Sequence, residues 1–346
     1  MERICKNIME INQKNKLIRV AAIFFSLVLF QVGSNANGQQ IMSENENRVI
    51  DYQRIHLNVS NLDESISAYR DVMGMELFRT RPSMNGEFLG TDPGSRLRTA
   101  SLRAQGTNIE IELIEWTGSN HVSEIREIHD PGAIMFSFVV NDFAEKVEGL
   151  KRLDWQVISL NGEHVEDEGR ISILLKDKNS FYIQLINNID IPVDDVSIGN
   201  ARLWVTVNDL SETAAFYNRV FGFRLLSDVE YEEFLEGQIQ FFNSPETIQY
   251  RMAIGRFPGI DFPEIWFQEF GGVNKRAALR HRVQDYGGPT IPIVVKETDL
   301  HQFLVDFYEN GGIIGQGDTS TIIPEQVEGT WWVRDPNGIL YQVEAP

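Results

Sequence analysis

Residues Arg54–Phe78 and Arg202–Leu226 carry one pattern written twice, 148 positions apart. Val59, Leu62, Glu64, Tyr69, Val72, Gly74 and Leu77 recur as Val207, Leu210, Glu212, Tyr217, Val220, Gly222 and Leu225. A set of matches in register over one structural phrase points to an internal duplication. The phrase itself reads as strand, cap, helix and stop. Ile55, Leu57 and Val59 alternate with His56, Asn58 and Ser60, the period of a half-buried strand. Asn61 stands where an N-cap belongs, with Asp63 and Glu64 in the first turn. Ile66, Tyr69 and Val72–Met73 follow at helical spacing, and Gly74 closes the helix.

The rest of the chain extends the repeat to four units. Unit one covers about 51–118, with strands expected at Leu97–Arg103 and Asn108–Trp116. Unit two opens at the buried run Ile134–Val140, continues through a helix marked by Phe143, Val147 and Leu150, and adds strands at Trp155–Leu160, Ile171–Lys176 and Phe181–Ile186. Unit three covers about 200–271, with later strands at Gln238–Phe242, Tyr250–Ile254 and Glu264–Phe270. Unit four covers about 288–346. Its first strand is Ile291–Val295, and a helix marked by Leu300, Phe303, Leu304 and Phe307 stops at Asn310–Gly311–Gly312. Trp331–Val333 and Ile339–Glu344 are its last strands. Units two and four share an ending, Asp177, Asn179 and Gln184 matching Asp335, Asn337 and Gln342 at a shift of 158. Each unit is β-α-β-β-β, and the duplication is a pair of pairs: 51–188, a polar linker at 189–199, and 200–346.

The first segment stands apart from this pattern. Lys14, Lys16 and Arg19 precede the apolar run Val20–Phe30, and the small-residue stretch Gly33–Gly38 follows. This is the order of a secretory signal peptide over residues 1–38, with 39–50 a flexible lead-in and an exported, periplasmic or extracellular product. The apolar run is short for a bilayer span, so no stable membrane association is expected after cleavage. Cys5, the one cysteine, lies in that segment, so the remainder has no thiol for a disulfide or a metal. The formal net charge is −19. Removing residues 1–38 takes away five Lys/Arg and two Asp/Glu and leaves −22. Such acidity argues against nucleic acid as a partner.

Strand phase selects the candidate site. His56, Glu112 and Gln184 are each out of phase with their apolar neighbours and face away from the helix-packed side. No phosphate loop, nucleophile elbow or H-E-x-x-H occurs, so no nucleotide cofactor is expected.

The strand-to-helix phrase ending at Gly74 and again at Gly222, the turn Asp335–Pro336–Asn337–Gly338 before the final strand, and the four β-α-β-β-β units resemble the vicinal oxygen chelate superfamily, the glyoxalase, bleomycin-resistance and extradiol-dioxygenase group. The resemblance covers residues 51–346. It implies an α+β fold in which four modules form two paired domains, each with sheets curled around a cleft. It implies metal ligands on the first and last strands of each module. His56 and Glu112 match those places, Met135 stands at the first-strand place of unit two, and Gln184 at its last. Trp204, about Trp266, Ile291 or Pro292, and Gln342 stand at the places of the second pair, where no metal is expected.

One cleft lined by His56, Glu112 and Gln184 would then hold a divalent ion (Mn, Fe, Ni or Zn), with Glu112 as ligand or proton acceptor in lyase or isomerase chemistry on a small oxygen-bearing molecule. Trp204 could stack a planar ligand, although a tryptophan is more often simply buried. It also replaces the His that the dioxygenase branch uses for iron. Two other readings remain: a metal-free small-molecule-binding protein with a decayed ligand set, and an interaction module with closed clefts. Two pairs in one chain suggest a monomer.

Overall fold

The computed structural model describes residues 48–346 except 124, 168–169, 189–197, 245–247, 318 and 326. The leader expected at 1–38 and most of the linker expected at 189–199 lie outside the described residues. Module one follows a lead-in strand β1 (Val49–Tyr52) and comprises β2 (Ile55–Asn58), α1, β3 (Glu76–Asn85), β4 (Arg96–Arg103) and β5 (Glu110–Thr117). Helix α1 begins as an α-helix, Leu62–Ile66, and continues with π-helical spacing over Ser67–Val72. Module two comprises β6 (Ile134–Val140), α2 (Phe143–Arg152), β7 (Gln156–Val157), β8 (Val165–Asp167), β9 (Arg170–Lys176) and β10 (Tyr182–Asn188). Module three comprises β11 (Ile198–Thr206), α3 (Leu210–Val220), β12 (Glu232–Glu233), α4 (Glu236–Phe242), β13 (Gln249–Gly255) and β14 (Ile265–Gly271). Module four comprises β15 (Pro289–Val295), α5 (Leu300–Glu309), β16 (Ile313–Ile314), β17 (Thr330–Arg334) and β18 (Leu340–Glu344).

The duplicated phrase folds alike in both copies. The Asn61 and Asp209 side chains accept the backbone N–H groups of Glu64 and Glu212, satisfying donors that a helix start leaves free. Gly74 and Gly222 end the two helices with φ of 86° and 71°, values glycine adopts without a Cβ clash. The strand expected at Trp155–Leu160 is reduced to Gln156–Val157, and one further element changes type. Gln238–Phe242, whose alternation reads as a strand, is helical as part of α4. The Gln238 side chain accepts from the Leu235 N–H, Asn243 closes the helix in the left-handed region, and Phe241 is buried against Met135, Leu174 and Tyr182 of module two. Tertiary burial of its aromatic residues overrides the local period.

The strands form two nine-stranded sheets. Sheet one runs β16-β17-β18-β15-β2-β5-β4-β3, with β1 also on β15. Sheet two runs β12-β13-β14-β11-β6-β10-β9-β7, with β8 on β9. Sheet one therefore joins module one to module four through β2 and β15, and sheet two joins module two to module three through β6 and β11. Each fold unit is a pair of modules, as expected, but the pairing is one with four and two with three rather than between neighbours in sequence.

Helices pair the other way. Side chains of one face of each sheet (Ile55, Leu57 and Val59; Phe136, Phe138 and Val140) and of helices α1, α2, α3 and α5 join a single apolar core. There α2 approaches α1 so closely that a Cβ on Gly149 would lie 2.6 Å from Val72, and α3 meets α5 with the Phe216 and Phe307 rings 5.1 Å apart. The shared ending of modules two and four locks this helix pairing. Asp177 accepts the N–H groups of Asn179 and Phe181, and Asn179 in turn accepts the N–H and hydroxyl of Ser60, just before α1. Asp335 and Asn337 repeat the arrangement, with Asn337 accepting the N–H of Asn208 before α3. Among the described residues no helix is long and apolar enough to cross a membrane.

Candidate functional site

The face of sheet one opposite the helices carries the first two candidates together. β2 and β5 run parallel with His56 beside Glu112, so both side chains leave the same face. The His56 Nε2 atom lies 3.3 Å from a Glu112 carboxylate oxygen. It is not aligned for a hydrogen bond, and it has no other partner among the described residues. The second Glu112 oxygen accepts the Thr99 hydroxyl at 2.8 Å and the Ser101 hydroxyl at 3.3 Å. Arg54, two residues before His56 on the same face, stands 4.0 Å from Glu112 and stacks over the Phe78 ring. Burial alone would raise the Glu112 carboxyl. The adjoining imidazole, the Thr99 hydroxyl and the Arg54 charge outweigh it and hold the group down at about 2. Glu112 is thus an ionised carboxylate, only 6% exposed, beside a histidine that is 9% exposed.

Gln184 is not part of this group. It lies in sheet two, where the hydroxyl of Ser137 donates to its side-chain oxygen at 2.5 Å. Trp204 donates its indole N–H to the same Ser137 oxygen at 2.7 Å, and its ring packs 4.8 Å from that of Trp266. The expected cleft of His56, Glu112 and Gln184 is therefore corrected: β10 belongs to the sheet that β2 does not enter. The parallel register of β6 with β10 also puts Ser137, rather than Met135, at the first-strand place beside Gln184. Helix α4 covers this face, and Phe241, Phe234 and Ile248 pack with Met135, Leu174 and Tyr182. Trp204 packs against that cluster and spends its polar atom on Ser137.

The glutamine that does share the face of His56 is Gln342. Thr290 pairs with His56 across the β2–β15 junction, and Pro292, two residues on, pairs with Gln342. Side chains two apart on a strand share a face, so Thr290, Pro292, Gln342, His56 and Glu112 all point to one side. Thr290 is 1% exposed, and its hydroxyl has no hydrogen-bond partner among the described residues. Sequence reasoning missed Thr290 because it assigned module four to a different cleft. Gln342, by contrast, had a signal, its recurrence with Gln184.

A divalent ion can be tested against these residues. Two donors on one ion lie about 3 Å apart when each is about 2.1 Å from it. His56 and Glu112 meet that spacing, and an unpartnered imidazole nitrogen is the atom such an ion would satisfy. Gln342 supplies an amide, while Pro292 has no donor. Among the described residues no group of three or more His, Cys, Asp and Glu forms a metal cluster. The residues thus fit an ion with two strong ligands and one weak one, completed by water or substrate. Beyond them the face is closed by the stretch 279–286. Asn58 donates to the Val283 and Asp285 carbonyls, and Val283 packs with Leu97, Ile114, Trp116 and Leu340.

The sequence profile of the Glyoxalase/Bleomycin resistance protein/Dioxygenase superfamily matches residues 51–185 and 198–343. Among solved structures, glyoxalase I from Zea mays is 16% identical with a TM-score of 0.52, over 84% of this chain and 90% of that one. A putative dioxygenase from Bacillus subtilis is 13% identical, with a TM-score of 0.46, over 86% of each chain. A glyoxalase family protein from Bacillus cereus is 20% identical over 42% of this chain and 98% of its own, with a TM-score of 0.36. No curated protein matches.

Proposed function

Since the chain belongs to the Glyoxalase/Bleomycin resistance protein/Dioxygenase superfamily, we propose that it acts on a small oxygen-bearing molecule at the His56–Glu112 face of sheet one, as a glyoxalase-like lyase or isomerase assisted by a divalent ion. One observation carries the reading: a buried, unpartnered imidazole nitrogen held 3.3 Å from an ionised carboxylate. His56, Glu112 and Gln342 would hold the ion, whose chemistry is to polarise the vicinal oxygens of a substrate and stabilise enolate-like charge. Thr99 and Ser101 fix one oxygen of Glu112, so the other remains to take the ion or a substrate proton. Thr290 offers its unpartnered hydroxyl to a substrate oxygen next to His56. The segment over Asn58 limits water at the site.

Pro292 at the fourth ligand place favours a second reading, a metal-free binding protein. Elemental analysis of the protein beside His56→Ala separates them. Near-stoichiometric Mn, Fe, Ni or Zn that is lost in the variant supports the first reading, and screening of α-oxo and diol compounds follows. No metal in either protein, even after reloading, overturns it and leaves the second.

The apolar run Val20–Phe30 with its basic flank supports export. N-terminal sequencing of the protein from the periplasm or medium tests that, a start near residue 39 being expected. Both module pairs reside in one chain, which supports a monomer, checked by light scattering.

A further inference from the structure

A cavity of about 520 Å³ opens at one end of sheet two, away from His56 and Glu112. Its volume lies within the range of small-molecule sites, about 300–1,000 Å³. It is built where the duplication breaks down. Module one has the long strand β3 after its helix, whereas module three has a two-residue strand followed by α4. The end of α4 makes one wall, and the connection between modules one and two makes another.

The lining has two zones. Ile128, Tyr182, Phe242 and Ile248 form an apolar and aromatic floor; Phe242 itself is stacked on Phe234 with ring centroids 5.4 Å apart. The rim carries the amides of Gln156, Asn243 and Asn274 and the imidazole of His129, none of which has a side-chain hydrogen bond among the described residues. Among the described lining residues there is no Arg or Lys. The carboxylate among the described lining residues, Glu127, faces the Lys176 ammonium at 4.0 Å, and that ammonium also lies over the Tyr182 ring and donates to the Arg126 carbonyl. The one charged side chain among the described lining residues thus has a cation beside it. The groups left for a ligand are three amides and an imidazole around an apolar floor.

We propose that this cavity is a second small-molecule site, for uncharged, ring-bearing compounds with amide or hydroxyl groups at one edge. The ring rests on Phe242 and Tyr182, and the edge meets the three rim amides. A net charge on the ligand finds no unpaired counter-ion among the described lining residues and gives up hydration on entering. This proposal is independent of the chemistry at sheet one.

Three probes that share one ring test it: indole-3-acetamide, indole-3-acetate and tryptamine, titrated by calorimetry into the full chain. The acetamide is expected to bind at least fivefold more tightly than either charged analogue. Ser244→Trp and Asn274→Trp, which fill the space from two sides, are expected to weaken it at least tenfold. His56→Ala is expected to leave it unchanged. Ser244→Trp sits next to α4 and could disturb folding, but Asn274 is exposed, so its variant keeps the test valid. Absence of acetamide binding overturns the proposal. So does equal binding of all three probes, indifference to both filling variants, or loss of binding in His56→Ala.

Discussion

The two sheets present the same strand positions to their outer faces and fill them differently. In sheet one the row holds His56, Glu112, Pro292 and Gln342; in sheet two it holds Ser137, Gln184, Trp204 and Trp266. In the second row each polar atom named has found a neighbour: Trp204 donates to Ser137, and Ser137 to Gln184. A short helix lies on top and seals it with phenylalanine. The first row keeps an ionised carboxylate and two buried polar atoms without a hydrogen bond among the described residues, His56 Nε2, which has only the Glu112 carboxylate beside it, and Thr290 Oγ1. Leaving such atoms unpaired costs about 1–3 kcal/mol each. One row has become a packed polar and aromatic layer, while the other retains unsatisfied chemistry. Orphaned buried atoms are therefore a better guide to function in this fold than residue type alone.

The largest expected effect breaks the comparison on the stability side. Trp204→Ala removes a ring packed on Trp266 and the α4 cluster, and should cost about 3 kcal/mol in chemical denaturation. The metal content of the protein should not change. Loss of metal in that variant would mean that the two faces are not separate.

Next comes the pair of glutamines. Gln342→Ala should weaken metal or ligand binding at His56 about tenfold, about 1.4 kcal/mol, whereas Gln184→Ala should leave it within twofold. Titration of both variants with Mn or Zn reads this directly. The reverse result would restore Gln184 to the site.

The pH dependence of stability sharpens the contrast further. Glu112 is held low, so its stabilisation is present above the unfolded value of about 4.5 and is lost as pH falls towards 2. His281, buried and beside Arg334, is held down at about 3, so its contribution is complete above about 6.5 and fades as pH falls through that window. Asp177 and Asp335 have the opposite sign. Burial raises each to about 6, so their contribution is complete below about 3.8 and is lost as pH rises through 6. Asp335→Asn, a neutral analogue in the same turn, should therefore remove part of the stability difference between pH 4 and pH 7 in urea titrations. An unchanged pH profile would show that the Asp335 carboxyl is not held high.

The smallest effect concerns Thr290. Thr290→Val removes a buried hydroxyl that has no partner and should leave the apparent Tm unchanged or raise it by a few degrees, with Thr290→Ser on the other side of the wild type. Ligand affinity at the His56 face should fall in the Val variant and return in the Ser variant. A clear destabilisation by Val would assign the hydroxyl a structural role instead.

Much of this protein was legible in its sequence. Seven matched residues over Arg54–Phe78 and Arg202–Leu226 are enough to identify the duplication, the strand–helix phrase and the family likeness. Strand phase also placed His56 and Glu112 on one face, because the two residues belong to one module and their relation needs only local period and the parallel β2–β5 pairing. Gln184 failed for a different reason. A β-strand's sequence records which side chains face away from the helices, but not which other strand lies against its edge, since backbone hydrogen bonds are nearly indifferent to side-chain identity. Helix α4 failed because its alternation of Ile239 and Phe241 with glutamines is compatible with either period, and only the aromatic surface beneath it decides.

The amino-acid sequence by itself determined four modules, the start and stop of the helix in each duplicated phrase, and the Asp–Asn turns that end modules two and four. Each of these depends on residues close together in the chain. Only the tertiary structure decided that module one closes a sheet with module four and module two with module three, and so that Thr290 and Gln342, not Gln184, stand beside His56. That choice rests on which β-edges meet while the helices share one core, and it is a property of the packed molecule rather than of any segment.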